Sequence, residues 1–362
     1  MRIAPLTGLR GIAAVAVLLY HIPHHAAFAA FAMPLFSRGY LCVDLFFVLS
    51  GFVISLGYYE RVVRRPGWAS YGDFLVNRMA RVWPLHFVVA LVFILRVLVN
   101  VSGEQPVALT PANVVSNLLM VQSWGWGTQA FAGNSWSVST ELVAYLAYPL
   151  IALIAFSRLA WLQAIGSVAL LVLVAALGHG SRGPLDVNDA DSILPVLRCV
   201  AGFSLGVLAY RIAQKPWCER LLGGERGFVI ACAVIFLAFL IPGGDVIVAI
   251  SFPLLVIAGY YDGRLARATL ANPVSFHLGL ISYSIYLWHP LVRDVFARGM
   301  GVAHRHGFVG WDWAFLIATL VVTWLICWAS YLLIEVPGHR AVKRLEQRLV
   351  RPRPVLQQAP AE

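Results

Sequence analysis

The sequence predicts an all-α integral membrane protein that crosses the bilayer about ten times. Three observations carry this. Of 362 residues, 60% are hydrophobic and only 12% charged, about half the charge of an ordinary soluble domain. Apolar runs long enough to enter a bilayer recur from one end to the other. The mean hydropathy is +0.78.

The runs fall near 6–22, 40–58, 84–101, 138–156, 160–177, 193–211, 228–240, 245–260, 274–296 and 312–334. A span needs about 20 mostly apolar residues. Segments 228–240 and 245–260 are short and joined by IPGGD. The first run is preceded by Arg2 and followed by HHAAFAAFA, but Arg10 within it argues against a cleaved signal peptide. The membrane domain is expected to extend over 1–340, with a basic, frayed or disordered tail over 341–362.

The formal charge is +10, from 27 Lys and Arg against 17 Asp and Glu. In a membrane protein this excess reads as loop charge that sets orientation, not as a nucleic-acid surface. The connections after the second, sixth and eighth runs, and the tail, are basic. The connections 102–135 and 178–192 are poorer in Arg and Lys, and Arg298 and Arg305 break the alternation. Both termini are therefore expected in the cytoplasm. The five cysteines show no CxxC pairing and read as packing residues. No HExxH and no glycine-rich phosphate loop is present, and no metal is expected.

Ionisable residues inside the runs are the functional signal, because a charge in a span normally faces a partner or a polar cavity. Arg10 and His21 lie eleven residues apart in the first run, on one helical face and roughly 16 Å apart along the axis. Asp44 stands early in the second run, at a depth expected to match His21, where a carboxylate would orient an imidazole. In NSWSVSTELVAY (134–145), Ser137 or Ser139 with Glu141 has the pattern of a helix N-cap. Glu141 itself is expected inside the span. The stretch ISYSIYLWHPLV carries Tyr283, Tyr286, Trp288 and His289 just before Pro290. On the other side, FLVNRMARVWPLHF places Arg78 and Arg81 just before the third span, on one helical face and suited to phosphate oxygens. Gly51 reads as a close helix contact. The layout is asymmetric: arginines toward the inner end, His, Asp and Glu toward the outer.

These stretches together resemble membrane acyltransferase family 3, the O-acyltransferases of bacterial surface glycans and some antibiotics. The resemblance rests on Arg10 and His21 with ten residues between them, VDLFFVLSGF, RMARVWP, WSVSTE, ISYSIYLWHP and LIEVPGHR with Glu335. It spans nearly the whole chain. It implies ten core helices in a bacterial inner membrane and transfer of an acyl group, commonly acetyl, from acetyl-CoA or another acyl-CoA. The acceptor it implies is a hydroxyl on a carbohydrate or glycolipid. By this resemblance His21 is catalytic, as general base or acyl carrier, and Arg10 shares its motif. Asp44 or Glu141 would orient the imidazole. Arg10, Arg78, Arg81, Tyr283 and His289 are assigned to the donor, and Tyr283, Trp136 or Ser137 to the oxyanion. Two departures, Arg38 before Gly39 and LVAYLAY after WSVSTE, fall on the presumed acceptor side. The chain is expected to be a stand-alone form without a fused SGNH hydrolase-like domain. Trp124, Trp126 and Trp136 of the loop near 102–135 could stack on a sugar. The rival class is a proton-coupled transporter or flippase, for which intramembrane His, Asp and Arg also speak.

Overall fold

Pro5 opens the first helix, α1 (Ala4–His21), in its first turn, where a missing N–H costs nothing. The computed structural model describes residues 3–22, 37–99, 107–180, 182–308, 310 and 312–350. Among them, α2 (Cys42–Tyr58) follows a 3₁₀ turn at Gly39–Leu41 and runs into a π turn at Tyr59–Arg64. α3 (Trp68–Leu98) is the longest helix described, at 31 residues. α4 (Pro111–Leu119) is capped by the Thr110 side chain, which accepts from Asn113 N. α5 (Trp136–Ala155), α6 (Ala160–Leu177) and α7 (Leu194–Ala213) follow. α8 (Pro216–Leu222) meets α9 (Gly224–Leu240) at 74°, and α10 (Asp245–Tyr260) meets α11 (Arg264–Leu270) at 104°. α12 (Pro273–Leu280) leads into α13 (Ser282–Arg305), then α14 (Asp312–Ser330), a π turn at Tyr331–Glu335 and α15 (Val336–Val350).

α1, α2 and α7 form the middle of the bundle. Each contributes to two buried apolar clusters, one shared with α3, α5 and α13, the other with α6, α9, α10 and α11. The core stretches of α2 and α7 are each 72% enclosed, against 17% in α6, so α6 presents most of itself outward. α2 and α7 approach backbone to backbone. A methyl group on Gly51 would run into the carbonyl of Phe203, and one on Gly206 into that of Val48. Small residues at such crossings let membrane helices pack closely, as expected for Gly51.

Among the described residues, seven helices are long and apolar enough to cross a membrane, or up to nine if each bent pair is one span. The expected ninth run, 274–296, is split between α12 and α13. The second half of α13 carries Arg293, Asp294, Arg298 and Arg305, too many charges for a plain span. α3 begins at Trp68, not near 84. Its first turns are too polar to register as an apolar run, so Arg78 and Arg81 sit inside a helix and not in a loop. The N-cap expected of Ser137 or Ser139 is not made: Ser135 is the N-cap and offers no side-chain bond. α15 crosses the boundary expected at 340. The HHAAFAAFA stretch and residues 351–362 lie outside the described residues. All five cysteines are free thiols.

Ile3 and Arg340 line one cavity, so α1 begins at the end of the bundle where α15 lies. That end is called basal below, and the end where α1 finishes at His21, apical.

Candidate active site

Three cavities stand in file between the α1–α2 wall and the α3, α5 and α13 side. The basal cavity, about 310 Å³, is lined by Arg10, Arg81, Glu335, His339 and Arg340. The middle cavity, about 300 Å³, is lined by Arg10, Arg78, Arg81, Glu141, Tyr145 and Tyr283. The apical cavity, about 390 Å³, is lined by His21, Asn134, Trp136, Asp186, Arg198 and Arg293, with further aromatic wall. Arg10 and Arg81 border both the basal and the middle space. Val43 and Tyr286 border both the middle and the apical space.

The basal end is rich in cations, several of which form no ion pair among the described residues. Lys343 pairs with Asp73 at 3.3 Å and with Glu346, and Arg81 is also paired. It pairs with Glu335 of the π turn, whose other oxygen accepts from Ser284 Oγ at 2.5 Å. Pi turns often occur where a helix is deformed for function. Here Gly338 lies so close to Pro84 of α3 that a Cβ would overlap its ring. Arg10, Arg78 and Arg340 have no carboxylate within ion-pair distance among the described residues. The Arg78 guanidinium lies 5.4 Å from the Tyr58 ring, and its Nε is buried without a hydrogen-bond partner. Arginines inside a bundle are costly unless something neutralises them; these three line the basal and middle cavities, where Glu141 is the nearby carboxylate of Arg10 and Arg78.

The apical end is built around two histidines. His21 is the last residue of α1, and its Nδ1 bonds the Val17 carbonyl at 2.8 Å. A carbonyl only accepts, so Nδ1 carries the proton and Nε2 the lone pair. No described residue pairs with that Nε2. His289 repeats the arrangement: Nδ1 bonds the Ile285 carbonyl at 3.0 Å, and Nε2 is buried without a partner. The two rings lie 4.9 Å apart. Pro290 has no N–H, which leaves the Tyr286 carbonyl without its helical donor. Asn134 Nδ2 fills that vacancy. Its Oδ1 is thereby fixed as an acceptor on the cavity wall, buried and without a partner.

Arg198 and Asp44 form a doubly bonded pair, Nε to Oδ1 at 2.9 Å and Nη2 to Oδ2 at 2.6 Å. Arg198 also bonds the Tyr40 carbonyl at 3.1 Å and lies 5.4 Å from the Trp136 ring. The loop 182–190 walls the cavity from outside. Tyr20 donates to Asp186 at 3.1 Å, and Asp245 anchors the loop by accepting from Leu185 N at 3.0 Å and Tyr40 Oη at 2.7 Å.

A family model described as an acyltransferase domain matches residues 3–333. The chain belongs to this acyltransferase family. It is 28% identical to the acyltransferase MdmB of Streptomyces mycarofaciens, over 99% of this chain and 97% of that one. It is 22% identical to the putative peptidoglycan O-acetyltransferase YrhL of Bacillus subtilis and to the O-acetyltransferase OatA of Staphylococcus aureus. Those alignments cover 94% and 92% of this chain, and the chain spans 56% of each relative. No solved structure matches the chain.

The acyltransferase brings its sequence-selected residues together at two places, not one. His21 and His289 meet apically, so His289 stands beside the imidazole and away from the basal arginines. Arg10, Arg78, Arg81, Glu141 and Tyr283 meet in the middle cavity. Asp44 does not orient His21, because Arg198 occupies both its oxygens, and the imidazole is held by Val17. Glu141 lines the middle cavity with Arg10 and Arg78, not the apical one. Tyr283 donates to the Val82 carbonyl at 2.7 Å, and Ser137 Oγ bonds Tyr286 Oη at 2.6 Å, so neither hydroxyl is available to an oxyanion. Trp136 lines the apical cavity. Trp124 and Trp126 instead face each other, rings 5.4 Å apart, outside it. Sequence reasoning did not select Asn134, Asp186, Arg198 or Arg340. Pro290 was the one signal for Asn134, since a proline inside a helix demands a donor from elsewhere.

Proposed function

We propose that this membrane acyltransferase moves an acyl group, acetyl by family resemblance, from acyl-CoA to a hydroxyl of a carbohydrate or related acceptor. The carrying observation is the file of cavities, with arginines that form no ion pair at one end and a His21 Nε2 without a partner at the other, both among the described residues. The alternation of basic loops supports a cytoplasmic basal end, in a bacterial inner membrane. The donor's phosphates then sit against Arg340, Arg10 and Arg78, where charge-assisted bonds are strongest. Its pantetheine arm extends past Arg81 and Tyr283 toward Val43 and Tyr286. The thioester reaches His21, roughly 16 Å along α1 from Arg10.

The Val17 carbonyl fixes the tautomer, so His21 presents a lone pair to the reacting atoms. It acts either as general base on the acceptor hydroxyl, a contribution of about 10²–10⁴-fold, or as nucleophile and acyl carrier. Arg198, held by Asp44, supplies the fixed positive field facing the cavity in which a tetrahedral oxyanion forms. Asp44 thereby serves the reaction by holding Arg198. Asn134 Oδ1 offers an acceptor to a hydroxyl of the bound ring, and the names of OatA and YrhL, O-acetyltransferases, support transfer to oxygen.

The test follows free thiol from acetyl-CoA in proteoliposomes, wild type beside His21→Ala, with a panel of glycans. Sustained thiol release, beyond one equivalent per protein, that requires donor and glycan together and is lost in His21→Ala is the expected result. Solute movement without thioester consumption would establish a carrier instead.

A further inference from the structure

The two apical histidines have the same tautomer and the same unfilled valence. Each gives its Nδ1 proton to the carbonyl four residues back, which leaves each Nε2 with a lone pair. Buried polar atoms without partners are rare in folded proteins and need a reason. His289 Nε2 is one, on a side chain with no exposure at all. His289 packs directly behind the wall of the apical cavity: its helical neighbours Tyr286, Pro290 and Arg293 line that cavity, as does His21, whose ring it touches. The rings of His21 and Tyr286 flank it, at 4.9 Å and 6.1 Å.

We propose that His289 is the general base of the second half of the transfer, with His21 as the acyl carrier. The argument rests on the acyltransferase reading above. In the first half, His21 Nε2 attacks the thioester carbonyl, the C–S bond breaks, and coenzyme A leaves as thiolate. The acylated ring is cationic, with Nδ1–H still bound to Val17. It now has no lone pair: Nε2 bears the acyl group and Nδ1 its proton. His21 therefore cannot deprotonate the acceptor. A second base is required at that place, and His289 Nε2 is the lone pair next to it. In the second half, the acceptor oxygen attacks the acyl carbon, His289 Nε2 takes the hydroxyl proton, and the C–Nε2 bond to His21 breaks. His21 is restored neutral. His289 releases its proton to water, and the thiolate gains one on leaving.

Among the described residues, no carboxylate bonds either imidazole. The carboxylates around the apical cavity are engaged elsewhere: Asp44 with Arg198, Asp294 with Arg96 and Arg293, Asp186 with Tyr20. Arg293, Arg182 and Asp186 are the charged groups facing His21, and Arg293 also faces His289.

The experiment is rapid chemical quench of the detergent-solubilised full chain with radiolabelled acetyl-CoA and no acceptor, water serving as the slow acceptor. Wild type, His289→Gln, His289→Ala and His21→Ala are compared, with thiol release followed in parallel. Wild type should release one thiol per protein in a burst and hold transient label. Both His289 variants should release the same burst, retain the label at least tenfold longer, and discharge it when imidazole is added as an external base. His21→Ala should take up no label. Label that decays equally fast in wild type and His289 variants would overturn the proposal, as would His289 variants that fold but never acylate. Thiol release that requires acceptor, with no label on wild type, would also overturn it while leaving the acyltransferase reading intact. No thiol release under any condition would remove the acyltransferase reading itself.

Discussion

Arg10 and Arg198 are both arginines enclosed by the helix bundle, and their surroundings differ completely. Arg198 is bound twice by Asp44, both side chains 1% exposed. Arg10 lines two cavities and has no carboxylate within ion-pair distance among the described residues. A buried pair of opposite charges is a structural unit, whose value lies in staying complete. Arg10 shares its cavity with Glu141 but makes no ion pair with it, and on the proposed reading a ligand's phosphates complete its coordination. The apical end thus holds its buried arginine through an internal partner and leaves its nitrogen lone pairs open, whereas Arg10, Arg78 and Arg340 of the other cavities form no ion pair among the described residues. On the proposed reading, one end serves proton and acyl chemistry and the other holds an anion.

Perturbations at the two ends should therefore separate cleanly. The largest effect is expected at His21. His21→Ala should lower kcat by about 10²–10⁴-fold while leaving the KM for acyl-CoA within a factor of about two. A comparable rise in that KM would place His21 in donor binding instead. Asp44→Ala strands Arg198 and should cost about 3–5 kcal/mol of stability, read as a fall in the thermal unfolding midpoint in detergent. The double change Asp44→Leu with Arg198→Met should recover most of that stability but little activity, because the field at the oxyanion is gone.

Arg10→Ala and Arg78→Ala should each raise the KM for acetyl-CoA by roughly 10–100-fold, the worth of a charge-assisted bond. The same variants should use S-acetyl-pantetheine, which lacks the nucleotide phosphates, as well as wild type does. Equal losses with both donors would put these arginines at the reacting carbonyl. Asn134→Ala should lower kcat/KM for the acceptor by about tenfold, one hydrogen bond's worth, with the donor KM unchanged. Trp126→Ala, outside all three cavities, should change neither constant by more than about twofold.

Most of the helices were legible because a bilayer imposes a length and an apolarity that any window of the sequence displays. The start of α3 was not, since residues 68–83 form a polar helix whose stability comes from packing against α15 and not from lipid. Residue types at the site were legible as charges that lipid would reject: Arg10, His21, Asp44 and Glu141 were all selected on that ground. Their partners were not. Asp44 meets Arg198 across 154 positions of sequence, and a depth argument could place it only beside His21. Depth gives one coordinate, and azimuth around the helix gives the other. Asp44 and Glu141 were assigned to the right membrane protein feature, an intramembrane charge, on the wrong neighbours. The cavity-lining loop 182–190 has no periodicity to read, so Asp186 could not be selected at all.

The division between an anion-holding basal end and a reacting apical end is tested most directly by sidedness. Protein inserted in one orientation in proteoliposomes would receive acetyl-CoA on one face only, with the glycan that supports thiol release on the other. The account predicts free thiol when the donor meets the basal face and the glycan the apical face, and none with the two exchanged. Equal release in both arrangements, or release that requires donor and glycan on the same face, would contradict it.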